Sequence, residues 1–226
     1  MSSMASTSKP RSPTARSPER ARRRSWVTRD DSFSATPEAF RRDPRLVWEW
    51  YAWRRGLIAA CVPNAAHDVI AAWSARPGFT LVTQNVDGLH ERAGTRDVIR
   101  YHGSIWRLSC PGCREEWEDL RVPLDPLPRC PSCAGLARPA VVWFGEGIDP
   151  AIAARATAAT ACDVFLSVGT SSVVYPAAGL VDLARRHGAF TVEINPETTG
   201  SHVDAALAMP AEVALPAIAA VDPATR

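Results

Sequence analysis

The run Val164-Phe165-Leu166-Ser167-Val168, closed by Gly169-Thr170-Ser171, decides the fold. Four of its five residues are apolar and it stops at a polar, glycine-led turn, the pattern of a short strand buried on both faces. A helical stretch from about Pro150 to Thr160 precedes it, and another from about Ala177 to Arg186 follows. The second helix leads into the apolar run Ala189–Ile194 and then into Asn195-Pro196-Glu197. Strands alternating with helices predict an α/β fold, a Rossmann-like parallel sheet covered on both faces. Upstream, Phe79–Thr83 repeats the pattern and ends in Gln84-Asn85-Val86-Asp87-Gly88, while Ile99–His102 and Ala140–Phe144 are further strand candidates. Ligands of such sheets sit beyond the carboxyl ends of the strands. Gln84–Asp87, Gly169–Ser171 and Asn195–Glu197 all fall there, so they predict one shared pocket.

Further out, Ser34-Ala35-Thr36-Pro37-Glu38 reads as a helix start, with a capping hydroxyl, a first-turn proline and an early acid. Leu46 to Cys61 is strongly helical, and Leu46, Trp50, Trp53 and Leu57 form the expected apolar stripe. A second helix runs from about Ala65 to Ala75. Residues 1–24 carry a net charge of +6 and the remainder −4, for +2 in total. Rich in Ser and Arg and broken by Pro10, Pro13 and Pro18, residues 1–33 are expected to form a disordered basic tail. They lack the apolar core of a secretory signal, and the prolines spoil the helix of a transit peptide. A content of 46% hydrophobic and 22% charged residues excludes wholesale disorder, and no run of 18 apolar residues offers a membrane-spanning helix. The small net charge does not suggest a nucleic-acid partner. Arginine outnumbers lysine 25 to 1, which fits GC-rich coding and a cytoplasmic protein.

Cys110, Cys113, Cys130 and Cys133 form C-x2-C-x16-C-x2-C. Each pair bends a knuckle that aims two thiolates at one point, so together they predict a tetrahedral zinc site. Four thiolates leave no open position, which makes the ion structural. Disulfides are the competing reading, disfavoured by the spacing and by the lack of a secretory signal. Cys61 and Cys162 lie in apolar runs and read as buried small hydrophobes. Of the five histidines, His102 stands at a strand end with Gly103 behind it, where it can serve as a general base or simply as a structural residue. His90 reads as structural, and His67, His187 and His202 as surface residues.

Taken in order, Thr83–His90, Tyr101-His102-Gly103-Ser104, the four cysteines, Arg138-Pro139, Val142–Glu146, Gly169–Ser172, Tyr175-Pro176-Ala177 and Ile194-Asn195 resemble the sirtuins, NAD-dependent protein deacylases. The resemblance covers about residue 34 to the C-terminus. It implies that Gln84, Asn85, Val86 and Asp87 line the nicotinamide-ribose pocket and that Gly169, Thr170 and Ser171 meet the cofactor from the next strand. Asn195, Pro196 and Glu197 would hold the adenosine ribose, and Ala211 the adenine edge. His102 would deprotonate a ribose hydroxyl, giving free lysine, nicotinamide and O-acyl-ADP-ribose. Val142, Phe144, Gly145 and Glu146 would pair with an acylated-lysine peptide as an added strand. Tyr51 and Arg54, three apart on one helix face, match the Tyr-x-x-Arg motif of the desuccinylase and demalonylase subclass; a phenol and a guanidinium suit a carboxylate. Without that context, Tyr51 reads as core and Arg54 as surface.

The resemblance fails at one place. Sirtuins open with a strand and a Gly-Ala-Gly turn whose amides meet the NAD pyrophosphate. Here no glycine precedes Gly56, and the only G-x-G is Gly145-Glu146-Gly147. A truncated or frame-shifted N-terminus is the expected account, with a central strand lost and the chain impaired as an enzyme or reduced to a binding module. The expected organisation is a tail (1–33), a Rossmann-like part with a helical acyl-specificity insert (34–105), a zinc ribbon (106–139) and the rest of the Rossmann-like part (140–226). A monomer is expected, with no membrane or nucleic-acid partner.

Overall fold

The computed structural model describes residues 35–170 and 175–222. The expected tail and Ser171 lie outside these residues. Helix α1 (Pro37–Arg42) starts as its sequence dictates: Thr36 Oγ1 accepts from the Ala39 amide at 3.1 Å, with Pro37 in the first turn. Asp43 caps helix α2 (Pro44–Ala59) in the same way, accepting from the Leu46 amide at 3.0 Å.

The buried face of α2 is not the expected stripe. Val47, Trp48, Trp50, Tyr51 and Arg55 are buried, whereas Leu57 is 53% exposed. Both sets obey helical periodicity, and the partners choose between them. The Trp48 indole N–H donates to the Ala137 carbonyl at 3.0 Å, and Arg55 Nε donates to the Ile105 carbonyl at 2.7 Å. These bonds dock α2 on a three-stranded antiparallel sheet in the order β4-β3-β5, where β3 is Gly103–Ser109, β4 Glu116–Glu118 and β5 Arg138–Val141. Ile105 and Leu108 of β3 are fully buried and join Trp48, Trp50, Tyr51 and Trp143 in one core. Arg55 is buried too, with Nη1 3.6 Å from the Asp119 carboxylate; burial pulls its pKa down to about 10, so it stays charged at neutral pH. The strand expected at Ala140–Phe144 is therefore shifted to β5, and it belongs to this antiparallel unit.

The remainder is parallel, as expected. Helix α3 (Ala65–Trp73) precedes β1 (Val82–Thr83), and α4 (Leu89–Arg92) precedes β2 (Ile99–Arg100). Helix α5 (Pro150–Ala158), β6 (Val164–Val168), α6 (Gly179–Arg186), β7 (Phe190–Ile194), β8 (Ala205–Leu207) and α7 (Ala211–Val221) follow. β1 pairs with β2 in one parallel sheet, and β6, β7 and β8 form another in that order. β7 is the central strand of its sheet and its Thr191 and Ile194 are fully buried. Among the described residues no helix is long and apolar enough to cross a membrane.

Candidate active site

His102 sits where the parallel and antiparallel parts join. After β2 the chain turns sharply, and Gly103 adopts φ +80°, a region that suits glycine. A Cβ at this position would lie 2.1 Å from the Ala140 carbonyl oxygen, so no other residue lets β3 start this close to β5. His102 is thereby fixed from both sides. Its ring donates to the Gln84 backbone carbonyl, and its own carbonyl accepts from the Val142 amide at 3.0 Å. Burial pushes the imidazole pKa below 6.5, while the Gln84 contact pulls the other way. At neutral pH the ring is uncharged, with one nitrogen engaged and the other able to accept a proton.

A cavity of about 440 Å3 lies between β1 and β6, lined at its polar rim by Gln84, Asn85, Gly169 and Thr170 and reached by Ala211 at the start of α7. Gln84 Nε2 donates to Thr170 Oγ1 at 3.3 Å, and Asn195 Nδ2 donates to the Thr170 carbonyl at 2.9 Å. Gln84, Thr170 and Asn195 are thus linked across three strand ends, one residue from each polar set. The loop after β7 is tied down by Glu193, whose buried carboxylate accepts from the Thr199 amide at 3.3 Å. Pro196 and Glu197 are exposed and stand outside the cavity lining.

Two expected cofactor residues turn elsewhere. Val86 packs on the antiparallel core, with its carbonyl accepting from the Ile105 amide at 2.9 Å. Asp87 Oδ1 accepts from the Leu89 amide at 2.9 Å, fastening the entry to α4, and the Asp87 carbonyl accepts from the Trp106 indole at 2.6 Å. Asn64, His67 and His90 line the cavity instead. This corrects the reading of His67 as a surface residue and of His90 as purely structural. The two imidazoles lie 4.8 Å apart, and His90 Nδ1 is buried with no hydrogen-bond partner among the described residues. Burial, and then His67, push the His90 pKa down. In sequence Asn64 and His67 show only the signature of the helix cap they also form. An orphaned ring nitrogen beside amides and hydroxyls fits a polar ligand, and the residues present suit the nucleotide that the resemblance implies.

The expected substrate segment runs beside His102 but is not a strand. Residues 142–146 form a turn in which Glu146 Oε2 accepts from the Trp143 amide at 2.9 Å. Arg138 Nη2 holds the same oxygen at 2.8 Å, and its guanidinium lies 3.6 Å from the Trp143 ring centroid. The Glu146 carboxylate, held by Arg138 and low in pKa despite burial, is thus engaged within the chain. Phe144 is 57% exposed and Gly145 has φ +86°.

Tyr51 is buried, and its oxygen accepts from the Trp143 indole at 2.8 Å, which leaves the phenolic proton to donate. Burial raises its pKa to about 12, against the opposing fields of Arg54 and Arg138 and with that of Glu146. Arg54 lies half-buried with its guanidinium 5.0 Å from the Trp50 ring.

The four Sγ atoms of Cys110, Cys113, Cys130 and Cys133 all lie within 4.8 Å of one another, with Cys110–Cys133 at 3.4 Å and Cys113–Cys130 at 3.5 Å. A zinc tetrahedron with bonds of about 2.3 Å has edges of about 3.8 Å, so the set fits the ion and closes its coordination. Cys61 is exposed rather than buried, with Sγ directed at the Leu57 carbonyl at the end of α2, while Cys162 is half-buried.

The sequence matches the model of the Sir2 family over residues 20–176, so the match reaches back into residues read as tail. The NAD-dependent protein deacylase of Aquifex aeolicus (strain VF5) is 49% identical over 168 residues, 73% of this chain and 70% of that protein. NAD-dependent protein deacylase 1 of Pseudomonas aeruginosa is 50% identical over 182 residues, 76% of this chain and 73% of that protein. Among solved structures, a Sir2 homologue in complex with NAD has a TM-score of 0.80 at 41% identity, covering 84% of this chain and 76% of that one. A Sir2 homologue mutant in complex with 2′-O-acetyl-ADP-ribose has a TM-score of 0.82 at 38% identity, covering 88% and 83%.

Proposed function

Because this chain belongs to the Sir2 family, we propose that it is an NAD-dependent protein lysine deacylase that removes succinyl and malonyl groups in preference to acetyl. The observation that carries the reading is the double tether of His102, by its ring to the cofactor-side Gln84 and by its backbone to the substrate-side Val142. When bound, NAD supplies an electrophilic ribose carbon and nicotinamide as leaving group. Gln84, Asn85, Gly169, Thr170 and Asn195 would hold it at the strand ends beside Ala211, with Asp87 setting the turn that carries the first pair, while the exposed Pro196 and Glu197 stay outside the cavity lining. His102, neutral and with one ring nitrogen engaged, takes a ribose hydroxyl proton on the other. The exposed Phe144 and Gly145 offer backbone to an extended peptide, and Val142 aligns that peptide with His102. The phenolic proton of Tyr51, left free to donate by the Trp143 bond, and the guanidinium of Arg54 meet the acyl carboxylate. Cys110, Cys113, Cys130 and Cys133 hold one structural zinc that takes no part in the chemistry.

The test is nicotinamide release from matched succinyl-lysine and acetyl-lysine peptides. Succinyl should be preferred at least about tenfold, and Arg54→Met should erase most of that preference, since a charge-assisted pair is worth roughly 1.5–3 kcal/mol. Equal rates in the native chain and in Arg54→Met would sink the acyl reading, and turnover unaffected by His102→Ala would sink the base.

A second reading is favoured by one observation, the absence of glycine before Gly56 together with parallel strands that, among the described residues, fall into two sheets. On this reading the chain binds acyl-lysine but turns over poorly. Calorimetry decides between them: NAD binding at micromolar strength supports the enzyme, and no heat at millimolar NAD supports the impaired form.

A further inference from the structure

Tyr51 is 2% exposed, yet its hydroxyl is only half used. The oxygen accepts from the Trp143 indole N–H at 2.8 Å, while the phenolic proton has no acceptor among the described residues. An indole N–H can only donate, so this bond fixes the roles of the hydroxyl, oxygen toward Trp143 and proton away from it. A buried donor without an acceptor is costly, and it is a place prepared for an acceptor that arrives from outside. Burial raises the phenol pKa to about 12, so the proton is present at neutral pH. Trp143 is itself gripped. The Arg138 guanidinium lies 3.6 Å from its ring centroid, and the Phe40 ring meets it at 5.3 Å. The Trp143 amide donates to Glu146 Oε2 at 2.9 Å, and Arg138 Nη2 donates to the same oxygen at 2.8 Å and to the Val141 carbonyl at 2.9 Å. Arg138 Nη1 holds the other Glu146 oxygen, so the fork is bidentate. Trp143 also follows Val142, whose amide donates to the His102 carbonyl, so the indole stands one residue from the segment that tethers the base.

We infer that Trp143 is a positioning residue for acyl choice: held by the Arg138–Glu146 pair, its indole presents the Tyr51 hydroxyl as a donor to an acyl carboxylate. This role rests on the reading of Tyr51 and Arg54 as the acyl contacts, and it accounts for what makes the phenol selective. A hydroxyl free to rotate serves donors and acceptors alike. One whose oxygen is already engaged by a fixed donor offers its proton, which a carboxylate can take and the methyl end of an acetyl group cannot. An acetyl substrate therefore leaves the buried proton unpaired, and a site built to pair a polar group discriminates against the analogue that lacks it. Arg138 and Glu146 act one step further back, by fixing the indole that fixes the hydroxyl. The carboxylate sits at the far end of the acyl chain from the reacting carbonyl, so losing its orientation weakens binding in ground and transition state alike and falls mainly on KM.

The experiment measures kcat and KM of the full chain with NAD and matched succinyl-lysine and acetyl-lysine peptides. It compares the native protein, Trp143→Phe, Tyr51→Phe and the double variant; if turnover is too slow to measure, the same ratios are read from peptide Kd. Trp143→Phe keeps an aromatic ring beneath Arg138 and removes the N–H. It should lower the succinyl-to-acetyl ratio of kcat/KM by about three- to tenfold, mostly through a higher KM for the succinyl peptide. In the Tyr51→Phe background the same substitution should change that ratio by less than about twofold, because no hydroxyl remains to orient. Damage to packing alone would persist there. An unchanged ratio in Trp143→Phe, while Tyr51→Phe loses the preference, overturns the positioning role and leaves the acyl reading standing; equal losses in both backgrounds do the same. A native chain without succinyl preference, or a preference that Tyr51→Phe leaves intact, sinks the acyl reading and the positioning role with it. If Trp143→Phe does not fold, Arg138→Lys takes its place in the cycle, keeping the charge but losing the fork and the planar stack, with an expected drop of about twofold or more. If neither folds, the Trp143 indole proton resonance of the native chain decides. A hydroxyl that donates also accepts more strongly, so the resonance should move further with the succinyl peptide than with the acetyl peptide. Equal movement overturns the positioning role.

Discussion

The antiparallel unit and the parallel unit of this Sir2-family chain are built from similar strands, yet they close differently. In the first, β3 lies between two antiparallel neighbours, Ile105 and Leu108 are fully buried beneath α2, and four cysteines converge at the far end. Its contacts are secured by hydrogen bonds from α2 and by a metal-ready knuckle pair. In the second, β6 carries the more apolar sequence but is the less buried strand, because burial of a parallel strand depends on neighbours supplied by distant parts of the chain. Apolar sequence specifies what a strand needs, and topology decides whether it receives it.

The strongest way to break this comparison is to remove the metal. Structural zinc sites contribute on the order of 10 kcal/mol to the folding of the units they close. Stripping the ion with a chelator should therefore release one zinc per chain and abolish the near-ultraviolet signal of the Trp48, Trp50 and Trp143 core. Amide protection in β7 should persist if the units are separable. Loss of β7 protection at the same chelator concentration would show a single cooperative unit instead.

Next in size is Gly103→Ala, at the seam between the two units. The new Cβ meets a backbone carbonyl at 2.1 Å in a left-handed conformation, so neither side can yield cheaply. The expected destabilisation is about 3–4 kcal/mol, read as a lower urea midpoint, and His102-dependent turnover should vanish even in the folded fraction. A variant with native midpoint and native turnover would mean that the seam does not position the base.

A gentler probe leaves the chain intact. Amides of Leu166 and Val168, in the half-buried strand β6, should exchange at least about a hundredfold faster than that of the fully buried Leu108 in the central strand of the antiparallel sheet. Equal rates would mean that β6 is as well covered as β3.

Much of this architecture was legible in sequence where a residue's local chemistry sufficed. Thr36-Pro37 marks a helix start, Val164–Val168 is a strand to the residue, and the cysteine spacing forecasts the sulfur cluster. What depends on distant partners was not legible. The stripe on α2 is rotated because Ala137 and Ile105 supply acceptors to Trp48 and Arg55 across 89 and 50 residues. Strand β3 was missed because Gly103-Ser104-Ile105-Trp106-Arg107-Leu108-Ser109 has no clean alternation, its register with β5 being interrupted between Gly103 and Leu108. His67 and His90 reach the cavity only because α3 and α4 pack beside β1. Glu146 looked available to a peptide, but Arg138, eight residues upstream, holds it.

The smallest expected effect concerns pH, and it tests whether the seam gives His102 the character of a base. Burial lowers its pKa below 6.5, so the uncharged form persists as pH falls to that value. More than half of the plateau turnover should therefore remain at pH 6.5, with the loss occurring below it. Stability moves in the same direction: the unfolded chain binds the proton more readily, so stability falls as pH drops from 6.5 through the lower folded pKa. His90 is shifted the same way and lines the cavity, so it is the competing source of an acid limb. His90→Gln separates them. If His102 is the base, the variant keeps the acid limb of kcat/KM at the same pH. If the limb moves or disappears, proton uptake on the cavity wall, rather than at the seam, controls the reaction.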